Sequence, residues 1–192
     1  KILQNVSDSR KEITFKAPTG SGKTYMMADF MNRIICADRN AVFIVSTLSK
    51  SNLAAQNFNS FKELSENGTF ADINPFLINS DSSGEGSLFI PLEYNVYVLP
   101  RDLYKDSSKL KKEGAFVNFL SSLTGDTFMK NPEKKLDLIK DECHIATSNL
   151  DELKEYFCAV INFSATPKLS RKQEPDVEIS NAEAENAKII KK

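Results

Sequence analysis

Three short stretches of this 192-residue chain hold residue types whose spacing can do chemistry. The first is Ala17-Pro18-Thr19-Gly20-Ser21-Gly22-Lys23-Thr24. It fits the phosphate-loop pattern, with Ala where the pattern has its first Gly. A strand-like run precedes it and a helical one follows, which is the context the motif requires. Gly20 and Gly22 let the backbone curl so that successive N–H groups of Thr19 to Thr24 point inward at phosphate oxygens. A helix beginning near Lys23 adds the positive end of its dipole. Lys23 can reach the β- and γ-phosphates, and the Thr24 hydroxyl can ligate Mg²⁺, so the loop suits ATP with Mg²⁺.

The second stretch is Asp141-Glu142-Cys143-His144, at the end of the apolar run 136–139. Ligands of open parallel sheets sit at the carboxyl ends of the strands, so two acids there fall on the same rim as the phosphate loop. Asp141 is placed to hold Mg²⁺, usually through water. Glu142 can polarise the attacking water, because γ-phosphoryl transfer mainly needs positioning and charge neutralisation. Taken alone, an acid pair after a strand is commonplace; beside a phosphate loop the catalytic reading prevails. A Cys-His metal site is disfavoured, since His144 is the chain's one histidine and no second cysteine pair lies nearby. The third stretch is Ser164-Ala165-Thr166, after the run 159–163 and before Pro167. Ser164 and Thr166 can relay hydrogen bonds between a nucleotide site and a neighbouring surface. On the residues alone, a turn that ends a strand explains them equally well.

The elements that must position these residues follow from the hydrophobic pattern. Strand-like runs at 13–16, 41–45, 75–78, 96–99, 136–139 and 159–163 alternate with longer helical patterns, the arrangement of β-α units around a parallel sheet. From Lys23 to about Cys36, Met27, Phe30, Met31, Ile34 and Ile35 recur at helical spacing. Ala41–Val45 is a continuous apolar run, as expected of a strand covered on both faces. Ser49 can cap a helix to about Leu64, with Leu53, Phe58 and Phe61 facing inward. A helix of undefined start ends near Leu123, and a short one spans about 150–156. The Ser/Gly-rich stretch 80–87 suits a mobile connector better than a DNA contact. The polar tail from Pro167, with a short helical stretch at about 181–189, has the character of a connector leading out of the domain.

Composition narrows the class. With 41% hydrophobic and 27% charged residues the chain is not disordered or collagen-like. No apolar run approaches the ~18–20 residues of a membrane-spanning helix, and the first residues lack the pattern of a secretory signal. The absence of an initiator Met suggests a fragment or an excised domain. Cys36, Cys143 and Cys158 are odd in number and widely spaced, which favours free thiols in a cytoplasmic setting. With 25 Lys+Arg against 26 Asp+Glu, bulk charge predicts no basic nucleic-acid surface, though a local strip of amides and a few cations would serve.

APTGSGKT, then DECH, then SATP about twenty residues later is similar to motifs I, II and III of the superfamily 2 helicases, over residues 13–167. Within that superfamily the chain looks most like the ATPase–translocase part of a type III restriction enzyme Res subunit. The grounds are the DECHIA context, SATPK and the stretch 176–192. The resemblance implies a RecA-like phosphate-loop NTPase domain over residues 1–168. Its sheet would be mainly parallel and flanked by helices on both faces, with the SAT strand between the phosphate-loop and DECH strands. It further implies that residues 169–192 lead toward a second RecA-like domain, whose arginine finger nothing after Pro167 supplies. An endonuclease domain would lie further along. Double-stranded DNA and a methyltransferase (Mod) subunit are the implied partners. His144, unless it merely caps a turn, would bond toward Ser164 and Thr166 and couple nucleotide state to nucleic-acid grip. Thr47, after the second strand, and Arg101, in Leu99–Leu103, occupy places where nucleic-acid motifs are expected; N-cap chemistry at Ser49 and a surface Arg at 101 explain these stretches as readily.

Besides the Ala at the head of the phosphate loop and the missing arginine finger, the chain departs from the pattern at Lys140 and before the loop. Lys140, before the acid pair, alternates onto the face of Leu136 and Leu138 and must snorkel or pair with an acid. No adenine-reading glutamine element precedes the phosphate loop, because Gln4 lacks the surrounding pattern. The rival readings are a DExH-type RNA helicase, a non-catalytic nucleotide-sensing module and, least favoured, a small-molecule kinase.

Overall fold

The computed structural model describes residues 12–48, 52–79, 90–125, 134–143, 148–167 and 174–186. Its centre is a sheet of seven strands: β1 (Glu12–Lys16), β2 (Ala41–Thr47), β3 (Pro75–Leu77), β4 (Val96–Pro100), β5 (Lys135–Asp141), β6 (Ala159–Ser164) and β7 (Val177–Glu178). The order across the sheet is β3-β4-β2-β5-β6-β1-β7, and every pairing is parallel. The helices are α1 (Lys23–Ala37), α2 (Leu53–Glu66), α3 (Lys109–Lys112), α4 (Ala115–Thr124), α5 (Ser148–Asp151) and α6 (Asn181–Asn186). This is the RecA-like α/β fold, and β6 lies between β1 and β5, the order that the resemblance implies.

Burial on both faces explains the continuous apolar runs. Along β2, Ala41, Phe43 and Val45 join the core under α1 and α2, while Val42 and Ile44 join the core under α3 and α4. Parallel strands sandwiched in this way have no polar face, so period-two alternation is lost while apolarity remains. α1 buries Met27, Ala28, Phe30, Met31 and Ile35, close to the expected stripe. In α2 the fully buried stripe is Ala54, Asn57 and Phe61, so the helix is rotated from the expectation and Leu53 and Phe58 are only partly buried. A polar residue therefore sits at the centre of that stripe. Ser49, the expected cap, falls outside the described residues; the residue before the helix is Asn52, in the left-handed region at φ 57°.

The tail differs from a plain connector. Val177–Glu178 adds a strand beside β1, held by Ile179 N–H to Lys16 O (2.9 Å), Thr14 N–H to Asp176 Oδ2 (2.8 Å) and the Lys16–Glu178 ion pair (2.7 Å). Beyond it, α6 is started by a reciprocal cap. Ser180 N–H donates to the Glu183 carboxylate (2.8 Å) and Glu183 N–H donates back to Ser180 Oγ (3.2 Å). Any chain path toward a second domain thus leaves after this strand and helix. Among the described residues, no helix is long and apolar enough to cross a membrane.

Candidate functional site

β1 delivers the chain to a loop at the carboxyl rim of the sheet. Gly20 (φ 78°) and Gly22 (φ 77°) both sit in the left-handed region, where a side chain would be strained, and Gly22 is the residue from which α1 starts. The curl that the sequence requires is therefore present, with the N-terminus of a 15-residue helix behind it. The loop is anchored on its neighbour strand: Ala17 N–H donates to Ser164 O at 3.2 Å. Ser21 is buried and its Oγ meets no hydrogen-bond partner among the described residues. The Lys23 ammonium rests on the loop's own Pro18 carbonyl (3.3 Å), a long bond that a phosphate oxygen could replace.

β5 brings the acids to the same rim. Asp141 is its last residue, and Glu142 turns the chain at φ 52°. A non-glycine residue in that region is strained, and such strain gathers at functional sites. Cys143 N–H donates to Phe163 O at 3.1 Å, which fixes the turn against β6; burial pushes the Cys143 thiol pKa up. Glu142 Oε1 lies 3.9 Å from Lys23 Nζ. Residues 119 apart in sequence thus face each other across one cleft, one cationic and one anionic.

Thr24 and Asp141 are joined by a residue outside the expected site. The Thr24 hydroxyl donates to Asn57 Oδ1 (3.1 Å), and Asn57 Nδ2 donates to Asp141 Oδ2 (3.0 Å). Asn57 belongs to α2 and is buried. Nothing in its local sequence marks it; the available sign was a polar residue within the inward stripe of an amphipathic helix. Thr24 and Asp141 offer hard oxygens, and Mg²⁺ is commonly held by one or two carboxylates together with the substrate's phosphates. The donor set therefore fits Mg²⁺.

The remaining expected residues take these places. Ser164 is buried, and its Oγ accepts from Thr166 N–H at 3.1 Å, closing a turn beside the phosphate loop. Thr166 itself is exposed. His144 lies outside the described residues, as do Gln4 and the stretch 80–87. Thr47 and Arg101, placed by the sequence where nucleic-acid motifs are expected, both bond toward Asp141. Thr47 is fully buried, with its hydroxyl 3.4 Å from Asp141 Oδ2. The Arg101 guanidinium donates to the Asp141 carbonyl at 2.7 Å, and burial lowers its pKa. Both thus share Asp141 as an acceptor, Thr47 through its carboxylate and Arg101 through its carbonyl. Lys140 resolves as expected for a lysine on an apolar face: its side chain is 3% exposed and its ammonium pairs with Asp151 of α5.

A hollow of about 520 Å³ opens elsewhere, between α1, β7 and α6, lined by Phe15, Tyr25, Phe30, Val177 and Ile179. Asp141, Glu142 and Lys23 are not among its walls, so the hollow lies apart from the candidate site at the rim. Among the described residues, no group of three or more His, Cys, Asp or Glu gathers as a metal cluster would. The rim joins an anion-binding loop, one ammonium and two carboxylates, an arrangement able to bind a nucleotide's terminal phosphates and orient a water against them.

Comparison with known proteins adds one finding. A family model described as "Type III restriction enzyme, res subunit" matches residues 1–169. A search of curated proteins finds no match.

Proposed function

The chain belongs to the family of type III restriction enzyme res subunits, and from that premise we propose that it is the ATP-hydrolysing domain of a DNA-dependent helicase or translocase within such an enzyme. Family membership supports a helicase-like ATPase that uses a nucleotide. The finer reading rests on a single observation, the approach of Glu142 to Lys23 across the phosphate loop. Thr19 to Thr24 grip the phosphates through main-chain amides, and Lys23 supplies the charge that answers the β- and γ-oxygens. Thr24 and Asp141 hold Mg²⁺, which when bound neutralises charge on the transferring phosphoryl group. Glu142 orients the attacking water and accepts its proton. Ser164 and Thr166, with His144, relay the nucleotide state outward. A second RecA-like domain closes over the nucleotide and supplies an arginine finger, so this chain alone turns over slowly. Such a finger is worth roughly 10³–10⁵ in rate in other phosphate-loop enzymes. The partners are double-stranded DNA and a methyltransferase subunit, and the nuclease activity resides in another domain.

The test is single-turnover ATP hydrolysis by the wild type and Glu142→Gln. Loss of a general base of this kind costs roughly 10²–10⁴-fold in rate, with nucleotide affinity retained. Brisk hydrolysis that survives Glu142→Gln would remove Glu142 from the mechanism. In a protein carrying both RecA-like domains, duplex DNA is expected to stimulate hydrolysis more than RNA. The reverse preference would favour an RNA helicase, and nucleotide binding without turnover would favour a sensing module.

A further inference from the structure

Asn57 touches both side chains assigned above to the cation, yet it lies on α2, far in sequence from either. Its amide is 5% exposed, on the stripe it shares with Ala54 and Phe61. Burying an amide there is costly unless both of its ends are bonded. They are: Oδ1 accepts from the Thr24 hydroxyl and Nδ2 donates to Asp141 Oδ2.

We propose that Asn57 is a positioning residue for the cation that accompanies the nucleotide, an inference that rests on the ATPase reading. A hydroxyl has one proton and two lone pairs. With the Thr24 proton committed to Asn57 Oδ1, the lone pairs are what Thr24 presents to an ion. On Asp141, the Asn57 amide and the Thr47 hydroxyl both approach Oδ2 (3.0 and 3.4 Å), so the donors that fix the carboxylate gather on one of its two oxygens. One planar group thus fixes the hydroxyl rotor of one ligand and the carboxylate rotamer of the other. The amide is suited to this. It is acceptor at one end and donor at the other, and it adds no charge beside a site whose own carboxylate must do the neutralising. An Asp here would lose the donor, and a Leu would lose both bonds. Removing such an outer-shell partner typically costs 10–100-fold in metal affinity.

The test is a Mg²⁺ titration of the protein loaded with a fluorescent ADP analogue, run beside a nucleotide titration in EDTA. For Asn57→Ala the Mg²⁺ concentration at half-saturation rises roughly 10–100-fold, while affinity in EDTA, set by the loop amides and Lys23, stays at the wild-type level. An unchanged half-saturation overturns the proposal. So does a lowered one, which would make the amide an obstacle to the ion, and so does loss of EDTA binding as well, which would make it a general prop of the fold. A second measurement needs no variant to be active. The side-chain NH₂ resonances of Asn57, identified by their loss in Asn57→Asp, shift when Mg²⁺ is added to the wild-type nucleotide complex. Resonances that ignore the ion overturn the proposal. A wild type that binds no nucleotide with or without Mg²⁺ defeats the ATPase reading itself, whereas an Asn57→Ala variant that matches the wild type defeats this inference alone.

Discussion

Replacing Asp137 by Asn should stabilise the protein at neutral pH and leave its nucleotide site untouched. Asp137 is 6% exposed, near the start of β5, and one of its oxygens accepts Ala159 N–H at 3.0 Å. Burial raises its pKa from the ordinary 3.8 to about 6, against the opposing pull of that hydrogen bond and of the Lys135 charge. At 1.36 kcal/mol for each tenfold change in proton affinity, that rise corresponds to about 3 kcal/mol. The sign follows from linkage. Between the two pKa values the folded chain holds a proton that the unfolded chain has released, so stability falls as pH rises from about 4 to about 6. Above that window the full cost of the buried carboxylate is present, and below it the cost vanishes. Asn keeps an oxygen for Ala159 N–H and removes the charge, though its own NH₂ must be buried. The swing with pH stays at about 3 kcal/mol whatever that NH₂ costs, so an expected gain of about 1–3 kcal/mol at pH 7.5 becomes a deficit of about 0–2 kcal/mol by pH 4. Urea unfolding of both proteins at pH 4.5, 6 and 7.5 measures this, because every other titrating group cancels in the difference. Asp137 and Asp141 are four residues apart, about 13 Å along a strand, so nucleotide affinity should not change. A difference between the two proteins that stays flat with pH, or a variant less stable at pH 7.5, would refute the reasoning.

Two further outcomes are expected. Lys23→Ala should weaken ATP binding about 10–100-fold, the worth of a hydrogen bond to a charged group, while the melting temperature without nucleotide stays close to the wild type, since the resting contact to Pro18 is long; equilibrium binding by fluorescence checks this. Lys140→Met should be within about 1 kcal/mol of the wild type or stabilising, whereas Asp151→Ala should cost about 1–3 kcal/mol, less than the ~3–5 kcal/mol of a fully buried pair because the Asp151 side chain is 44% exposed; chemical denaturation separates the two.

The parts of this structure legible in the sequence are those set by local rules. The phosphate loop was legible because two glycines must occupy left-handed backbone before a helix, and Gly20 and Gly22 do. The strands under both helical layers were legible as apolar runs, and the place of β6 between β1 and β5 followed from the resemblance. β7 was not legible: two residues after a polar, Pro-containing stretch carry no periodicity, and what holds them is register with Phe15 and Lys16 some 160 residues earlier. Asn57 was hidden for the same reason. Its partners lie 33 and 84 residues away, and nothing local separates its role from that of Asn59 two residues on in the same helix.

The inward turn of Thr47 and Arg101 changes what those residues can do. Thr47 has no exposed surface, and Arg101, which is only partly buried, spends one of its five guanidinium N–H groups on the Asp141 carbonyl. Asp141 therefore receives donors from the end of β2, from α2 and from the turn after β4, while its neighbour Glu142 faces Lys23. Three elements at this rim thus converge on one residue of the candidate cleft. A movement of any of them changes the position of Asp141 or the donors on its carboxylate, by way of hydrogen bonds within a close-packed layer that shifts between discrete arrangements and does not stretch. On that geometry, Thr47, Asn57 and Arg101 act on the candidate cleft through the one residue they share, Asp141.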